Sequence, residues 1–187
     1  MKDPVMKGHP LHAMLSDLPI GLTVAGVVFD IVGLLLRSGL WAFAANVSLG
    51  AAFLGGCAAA LVGWWDYQAV PRDHPVRRTG ALHGYLNLSA LIALLLSLLN
   101  RWLTVVMPAS IISAPLLGSM LSLLALLLLS IAGWFGGELV FRLGWRVTPA
   151  EHAEMLEEEL HQSGQDAQIE KVHAIVQQYK QEHTLLP

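Results

Sequence analysis

The hydrophobic residues of this chain are concentrated in four long stretches that are separated by short polar segments. The stretches cover residues 18–36, 41–64, 81–103 and 115–136. Each is close to or above the roughly 20 residues that a helix needs to cross about 30 Å of hydrocarbon. The pattern therefore predicts an all-α fold, a bundle of four transmembrane helices in contact with the lipid bilayer.

Small and polar residues within these stretches recur at alternating spacings of three and four, which places them on one face of a helix. Small side chains let neighbouring backbones approach closely, so these faces are predicted to point into the bundle. The positions, which extend up to two residues past the ends of the stretches, are Pro19, Thr23, Gly26, Asp30, Gly33 and Arg37 for the first, Ala52, Gly56, Ala59, Gly63 and Asp66 for the second, and Ser130, Gly133 and Gly137 for the fourth.

The composition of the chain supports a membrane location. Hydrophobic residues make up 55% of it and charged residues 13%, whereas about 25% of the residues in soluble domains are charged. All six tryptophans lie at or near a predicted helix end, where their rings settle at the level of the lipid headgroups. A soluble bundle is disfavoured, because burying four such stretches would need a very large shared core.

Lysine and arginine residues are distributed unequally between the two sides of the predicted bundle. Arg37 and Arg101 fall on one side. Seven fall on the other side, namely Lys2, Lys7, Arg72, Arg77, Arg78, Arg142 and Arg146. Because cytoplasmic loops are enriched in these residues, both termini are predicted to be cytoplasmic.

Residues 148–187 differ in character from the membrane domain that we assign to residues 1–147. They hold eight of the fourteen acidic residues but only two lysines, and a capping-box pattern at Thr148 predicts the start of a helix. We expect an amphipathic cytoplasmic tail that packs on the bundle, on a second copy of the chain or on another protein. The acidity of this tail disfavours nucleic-acid binding.

Asp30 lies inside the first apolar stretch, where an ionised carboxylate is costly. The residue is predicted to be protonated, or to pair with Asn46, Asn87 or Ser97 across the bundle. Intramembrane acids are candidates for function by default, but a carboxyl group that only joins helices is an equally good interpretation.

Histidines gather at the predicted cytoplasmic ends of the first and third stretches. His9 and His12 precede the first stretch, and His83 lies four residues before Asn87 on the third, a spacing that puts both on one helix face. In one interpretation, these rings only cap helix ends. In others, His12 and His83 are axial ligands of a haem, or His9, His12, Asp17 and His83 hold a metal ion, which needs about three protein ligands. Proton or anion handling is a fourth alternative.

A weak internal repeat relates the two halves of the membrane domain. His12 and His83 are 71 residues apart, and the GWW that begins at Gly63 and the GWF that begins at Gly133 are 70 apart. Duplication of a two-helix unit and chance similarity of helix ends explain this pattern equally well.

Three segments carry a resemblance to a known family: HPLHAMLSDLPIG from His9, RTGALHGYLN from Arg78 and GWFGGELVFRLGWRV from Gly133. They resemble the bacterial membrane-protein family called domain of unknown function 2231, over about residues 8–147. The resemblance implies a four-helix protein of the bacterial inner membrane, and similar domains joined to Rieske iron-sulfur modules imply electron transfer. The positions of Asp17 and Leu143 are commonly histidine in that family, so a site carried over from it rests here on His9, His12 and His83.

Three hypotheses for function follow. The first is a non-catalytic membrane protein that binds haem b or a metal ion through His9, His12, Asp17, His83 and Asn87 and exchanges electrons with a redox protein partner. The second is a small proton-coupled transporter that uses Asp30. The third is a membrane scaffold that presents the tail. No nucleophile elbow, phosphate loop or dinucleotide fingerprint occurs in the sequence, which disfavours an enzyme, and association into a homo-oligomer is left open.

Overall fold

The structure, a computed structural model, describes the backbone of residues 5–6, 9–106 and 114–145, and the side chains of residues 11–104 and 116–145. Within these residues there are four α-helices: α1 (Leu11–Leu36), α2 (Gly39–Gln68), α3 (Val76–Val106) and α4 (Ala114–Gly137). Two-residue strands, β1 (Val5–Met6) and β2 (His9–Pro10), pair antiparallel before α1. All four helices are long and apolar enough to cross a membrane, so the predicted four-span helical bundle is confirmed.

The helices are longer than the apolar stretches that predicted them. α1 begins at Leu11 instead of residue 18, and α3 begins at Val76 instead of residue 81. Hydropathy marks the part of a helix that lies in hydrocarbon, whereas the backbone hydrogen bonds of the helix continue into the more polar segment beside it. As a result, His12 lies in the first turn of α1.

The bundle is built from two helical hairpins. α1 packs chiefly on α2, and α3 chiefly on α4, while contacts between the hairpins are less extensive. Arg37 closes α1 in the left-handed conformation with φ of 49°, and the backbone N–H of Ser38 donates to the Gly33 carbonyl at 3.1 Å. This geometry ends the helix and lets α2 return antiparallel to it. We call α1 with α2 hairpin 1, and α3 with α4 hairpin 2.

Small residues let the hairpins pack closely around a narrow core. The buried hydrophobic cluster consists of Leu49, Ala52, Ala93, Leu94 and Ala125. A side chain at Gly26 would clash with Leu49, because a Cβ atom there would lie 2.6 Å from its Cδ2 atom. Most large aliphatic side chains instead point away from the bundle, as expected for a surface that lipid covers.

The predicted inward faces are correct for α1 and wrong for α4. On α1, the buried positions include Pro19, Thr23, Gly26, Asp30 and Gly33, but Arg37 is exposed. On α4, Ser130 and Gly133 are also exposed, whereas Gly118, Ser122, Ala125 and Ala132 are buried. The small residues near the end of α4 predicted an inward face, but α4 packs on α3 with a different face.

The last described turns of the chain change helix type. Glu138–Arg142 form a π-helix directly after α4, and the Leu143 N–H donates to the Glu138 carbonyl at 2.9 Å. Gly144 then has φ of 62°, a conformation that glycine adopts without steric cost. The chain divides into two units at this point, Met1–Leu143 and Gly144–Pro187. The helix predicted to start at Thr148 falls beyond residue 145, outside the described residues.

Candidate functional site

Two imidazole rings from different hairpins lie next to each other at one end of the bundle. His12 on α1 and His83 on α3 have ring centroids 6.0 Å apart, with ring planes at 90°. Both residues are half-buried. The structure thus brings together His12 and His83, which one of the alternatives drawn from the sequence treats as a pair.

Each ring is held by the second helix of its own hairpin. Nδ1 of His12 lies 2.9 Å from the Ala59 carbonyl oxygen, and Nδ1 of His83 lies 2.8 Å from that of Ala132. A carbonyl oxygen only accepts hydrogen bonds, so Nδ1 of each ring is the donor and carries a proton. In the neutral form, both Nε2 atoms therefore keep a lone pair that a metal ion or a hydrogen-bond donor can use.

Asn87 lies one helical turn after His83 and contacts its ring. The Asn87 amide nitrogen lies 2.9 Å from the His83 carbonyl oxygen and 3.1 Å from Nε2 of its ring. Since Nδ2 is the donor in both contacts, Asn87 stabilises the tautomer that the Ala132 carbonyl also selects. The predicted shared face of His83 and Asn87 is observed.

Glycines make room for both rings. A Cβ atom at Gly63 would lie 2.6 Å from Nδ1 of His12, and one at Gly136 would lie 3.2 Å from Cε1 of His83. Each ring thus lies directly on the backbone of its neighbouring helix, which a larger residue would prevent.

The other predicted ligands contribute less to this pair. Asp17 is exposed, and within the described side chains no hydrogen bond joins it to either ring. His9 is part of β2, which precedes the helix that holds His12. The side chain of His9 lies outside the described set. Among the described residues, no three histidine, cysteine or acidic side chains form a group that could hold a metal ion.

The two hairpins make matching contacts. His12, Ala59 and Gly63 in hairpin 1 correspond to His83, Ala132 and Gly136 in hairpin 2. The partner of Gly63 in this correspondence is Gly136, not the Gly133 suggested by the GWW and GWF motifs, since no atom lies within 4 Å of a Cβ atom built at Gly133. Matching contacts support the internal repeat.

A buried ion pair joins the hairpins at the opposite end of the bundle. Asp30 on α1 and Arg101 on α3 have side chains that are only 5% and 10% exposed, respectively. Nη1 of Arg101 donates to Oδ1 of Asp30 at 2.8 Å, and Nη2 donates to Oδ2. Along α1, Asp30 is about 27 Å from His12. The histidine pair and the ion pair are therefore two separate polar layers.

The five N–H groups of the Arg101 guanidinium all have acceptors. Besides the two bonds to Asp30, its other donors reach Oδ1 of Asn46 at 3.2 Å, Oγ of Ser97 at 3.1 Å and Oγ of Ser122 at 3.4 Å. Ser122 also donates to Oδ2 of Asp30 at 2.9 Å. A guanidinium has five donors, so this network is complete.

Asp30 could be identified from the sequence as a polar residue inside the bundle, but its main partner, Arg101, could not. Asn46 and Ser97 belong to the network only through Arg101, and Asn87 is on the histidine layer instead. In the sequence, Arg101 is one of two basic residues on the less charged side of the bundle, and it indicates only membrane orientation. The missed signal is the repeat itself, because Asp30 and Arg101 are separated by the same 71 residues as His12 and His83.

Four apolar helices, lipid-facing side chains and two internal polar layers define an integral membrane protein of the helical-bundle class. The chain belongs to the family of predicted membrane proteins called DUF2231, whose model matches residues 8–149. That range contains both the histidine pair and the ion pair. Searches of curated proteins and of solved structures find no match to the chain.

Proposed function

We propose that this protein carries a haem group for electron transfer in the membrane, which His12 and His83 would hold through Nε2 of each ring. The observation that supports this proposal is the pair of imidazoles 6.0 Å apart, each with Nδ1 bound to a backbone carbonyl. When the rings are neutral, that arrangement leaves Nε2, the nitrogen that would ligate a metal, with a free lone pair on both of them.

The number of ligands favours a haem over a metal ion held by protein alone. The ring-centre distance of 6.0 Å lies within the range that two imidazoles bound to one metal at about 2.0 Å per bond can span. A haem needs only axial ligands from the protein, whereas zinc sites use at least three protein ligands. Of the predicted metal set, only His12 and His83 are close together among the described side chains.

The residues around the pair would hold and orient the ligands. The carbonyls of Ala59 and Ala132 fix the plane of each ring and increase the basicity of Nε2. Since Asn87 donates to Nε2 of His83, its amide would have to turn away for this nitrogen to hold a metal. The two ligands come from different hairpins, whose mutual contacts are less extensive than those within a hairpin. Bound iron would supply one-electron transfer.

Proton-coupled transport through Asp30 is the less favoured function. A proton on this carboxyl group would remove an acceptor site and leave the Arg101 guanidinium buried without its counter-charge, which is costly. The complete network therefore supports a role in joining the hairpins. The scaffold hypothesis concerns the tail, which the structure does not describe.

For location, we propose the bacterial inner membrane with both termini in the cytoplasm. Seven lysine and arginine residues on one side against two on the other support this orientation. It would place the histidine pair near the cytoplasmic surface, within reach of a redox protein partner.

The test is the absorption spectrum of the full chain, expressed with a haem supply and purified in detergent. We expect a b-type spectrum after reduction with dithionite, and its loss in both His12→Ala and His83→Ala. His74→Ala is the matched control, because His74 is an exposed histidine at the same end of the bundle, and it should keep the full spectrum.

A second variant tests whether a change beside the histidine pair, at a residue that is not itself a ligand, leaves haem binding intact. Asn87→Ala removes the donor that competes for Nε2 of His83, so it should retain haem at the wild-type level or above. Wild-type protein that folds, elutes as a single species and remains colourless would overturn the proposal.

A further inference from the structure

A depression lies at the turn between α2 and α3, apart from both polar layers. Its volume is about 590 Å³. The side chains that define its chemistry are Tyr67, Arg72, Asp73, His74, Arg77 and Arg78. None of its arginines has a place in the haem proposal.

The charge of the depression suits an anion. Three arginines face one aspartate there, so the lining is positive even when His74 is neutral. Arg72 and Arg78 are exposed, and within the described residues neither guanidinium has a hydrogen-bond acceptor. Planar guanidinium groups bind phosphate through paired, charge-assisted hydrogen bonds.

Part of the depression is fixed before any ligand binds. The Arg77 guanidinium lies 4.8 Å from the centre of the Tyr67 ring, and its Nη1 donates to the Val70 carbonyl at 2.8 Å. Val70 and Val76 are buried to 4% and 1% exposure, respectively, and anchor the turn on both sides. Such preorganisation lowers the entropy that binding costs.

The surroundings indicate that the phosphate belongs to a lipid. Trp64 and Trp65 lie just before the turn and are 65% and 45% exposed, as expected for rings at the headgroup level. Leu61 on α2 and Leu82 on α3 present exposed apolar surface about two helical turns further into the spans. A ligand here can place a phosphate among the arginines and acyl chains along the helices.

We propose that this depression binds the phosphate headgroup of an anionic phospholipid, with Arg72 and Arg78 contacting the phosphate and Arg77 held in place beside them. Basic pockets next to transmembrane helices recognise such headgroups in this way. The site is independent of the haem proposal, since it shares no residue with it.

The experiment measures the thermal unfolding midpoint of the full chain in neutral detergent after addition of phosphatidylglycerol, phosphatidylcholine or inorganic phosphate. Native mass spectrometry of the same samples counts bound lipid. Phosphatidylglycerol should raise the midpoint and remain bound, and the other two additives should not. In Arg72→Gln/Arg78→Gln, the affinity for phosphatidylglycerol should fall about tenfold or more.

Arg142→Gln is the matched control. Arg142 is an exposed arginine at the same end of the bundle, outside the depression, and its ion pair with Glu138 is on the surface. This variant should bind phosphatidylglycerol like the wild type. Equal binding of phosphatidylcholine, or an equal loss in Arg142→Gln, would overturn the proposed site. Stabilisation by inorganic phosphate alone would overturn its assignment to a lipid.

Discussion

Glycines determine how closely the imidazoles approach the neighbouring helices. Gly63 and Gly136 lie against the rings of His12 and His83, and a methyl group at Gly63 would meet the His12 ring at less than a normal contact distance. Because each ring is also bound to a carbonyl on the same neighbouring helix, it cannot move away without losing that hydrogen bond.

Gly63→Ala should therefore destabilise the protein by about 1–3 kcal/mol, the usual cost of overpacking. Gly136→Ala should cost less, because its closest contact would be 3.2 Å instead of 2.6 Å. Gly133→Ala is the control: its Cβ atom meets nothing within 4 Å, and alanine has the higher helix propensity. Thermal unfolding in detergent measures all three. An equal loss in Gly133→Ala would contradict the explanation.

Serine residues on α4 provide a second comparison at the scale of single residues. Ser122 donates to the buried carboxylate of Asp30, whereas the exposed Ser130 donates only to the Leu126 carbonyl of its own helix. Ser122→Ala should cost about 1.5–3 kcal/mol, the usual range for a hydrogen bond to a charged group. Ser130→Ala should be close to neutral in the same unfolding measurement. Equal midpoints for the two variants would show that the bond to Asp30 adds no stability.

At the scale of helices, the two hairpins contact each other through one polar layer near each end of the bundle. The histidine pair connects α1 with α3 at one end, and Asp30 with Arg101 connects the same helices at the other. Between these layers lies the narrow apolar core. Neutralising one partner of a buried ion pair leaves an uncompensated charge, whereas neutralising both does not.

Asp30→Asn should accordingly destabilise the bundle by about 3–5 kcal/mol. Arg101→Gln should also be destabilising, and the double variant should lose less than the sum of the two single losses. A double-mutant cycle on unfolding free energies gives the coupling between the two side chains. Additive losses would mean that the ion pair is not what joins α1 to α3 here.

At the scale of the whole molecule, antiparallel hairpins place the α1–α2 turn and the α2–α3 turn at opposite ends of the bundle. Gly39 and Asp73 are exposed residues in or next to these turns. The described part of the chain has one cysteine, Cys57 in α2. Once Cys57 is replaced, a single cysteine introduced into either turn shows by its labelling on which side of the membrane that turn lies.

In a Cys57→Ala background, Gly39→Cys should react with a membrane-impermeant maleimide in intact spheroplasts. Asp73→Cys should react only after lysis, because the arginine-rich turn is expected on the cytoplasmic side. The reverse labelling pattern would contradict the proposed orientation while leaving the fold unchanged.

The sequence by itself determined the features that depend on local composition. Runs of apolar residues specify helices that span a membrane, because hydrocarbon offers backbone groups no other hydrogen-bond partners. The small-residue stripe on α1 specified its buried face for a similar local reason. A pairing of His12 with His83 could be proposed from the sequence, since both residues lie near the beginnings of the first and third spans, which cross the membrane in the same direction.

Only the tertiary structure decided which side chains meet across the bundle. The rotation of each helix about its axis depends on packing with its neighbours. This rotation places Arg101 against Asp30 and turns Ser122, instead of Ser130, towards the inside of the bundle. It also makes Gly136 the counterpart of Gly63. A helix sequence in lipid restricts that rotation weakly, because large apolar residues are favourable both towards lipid and towards protein.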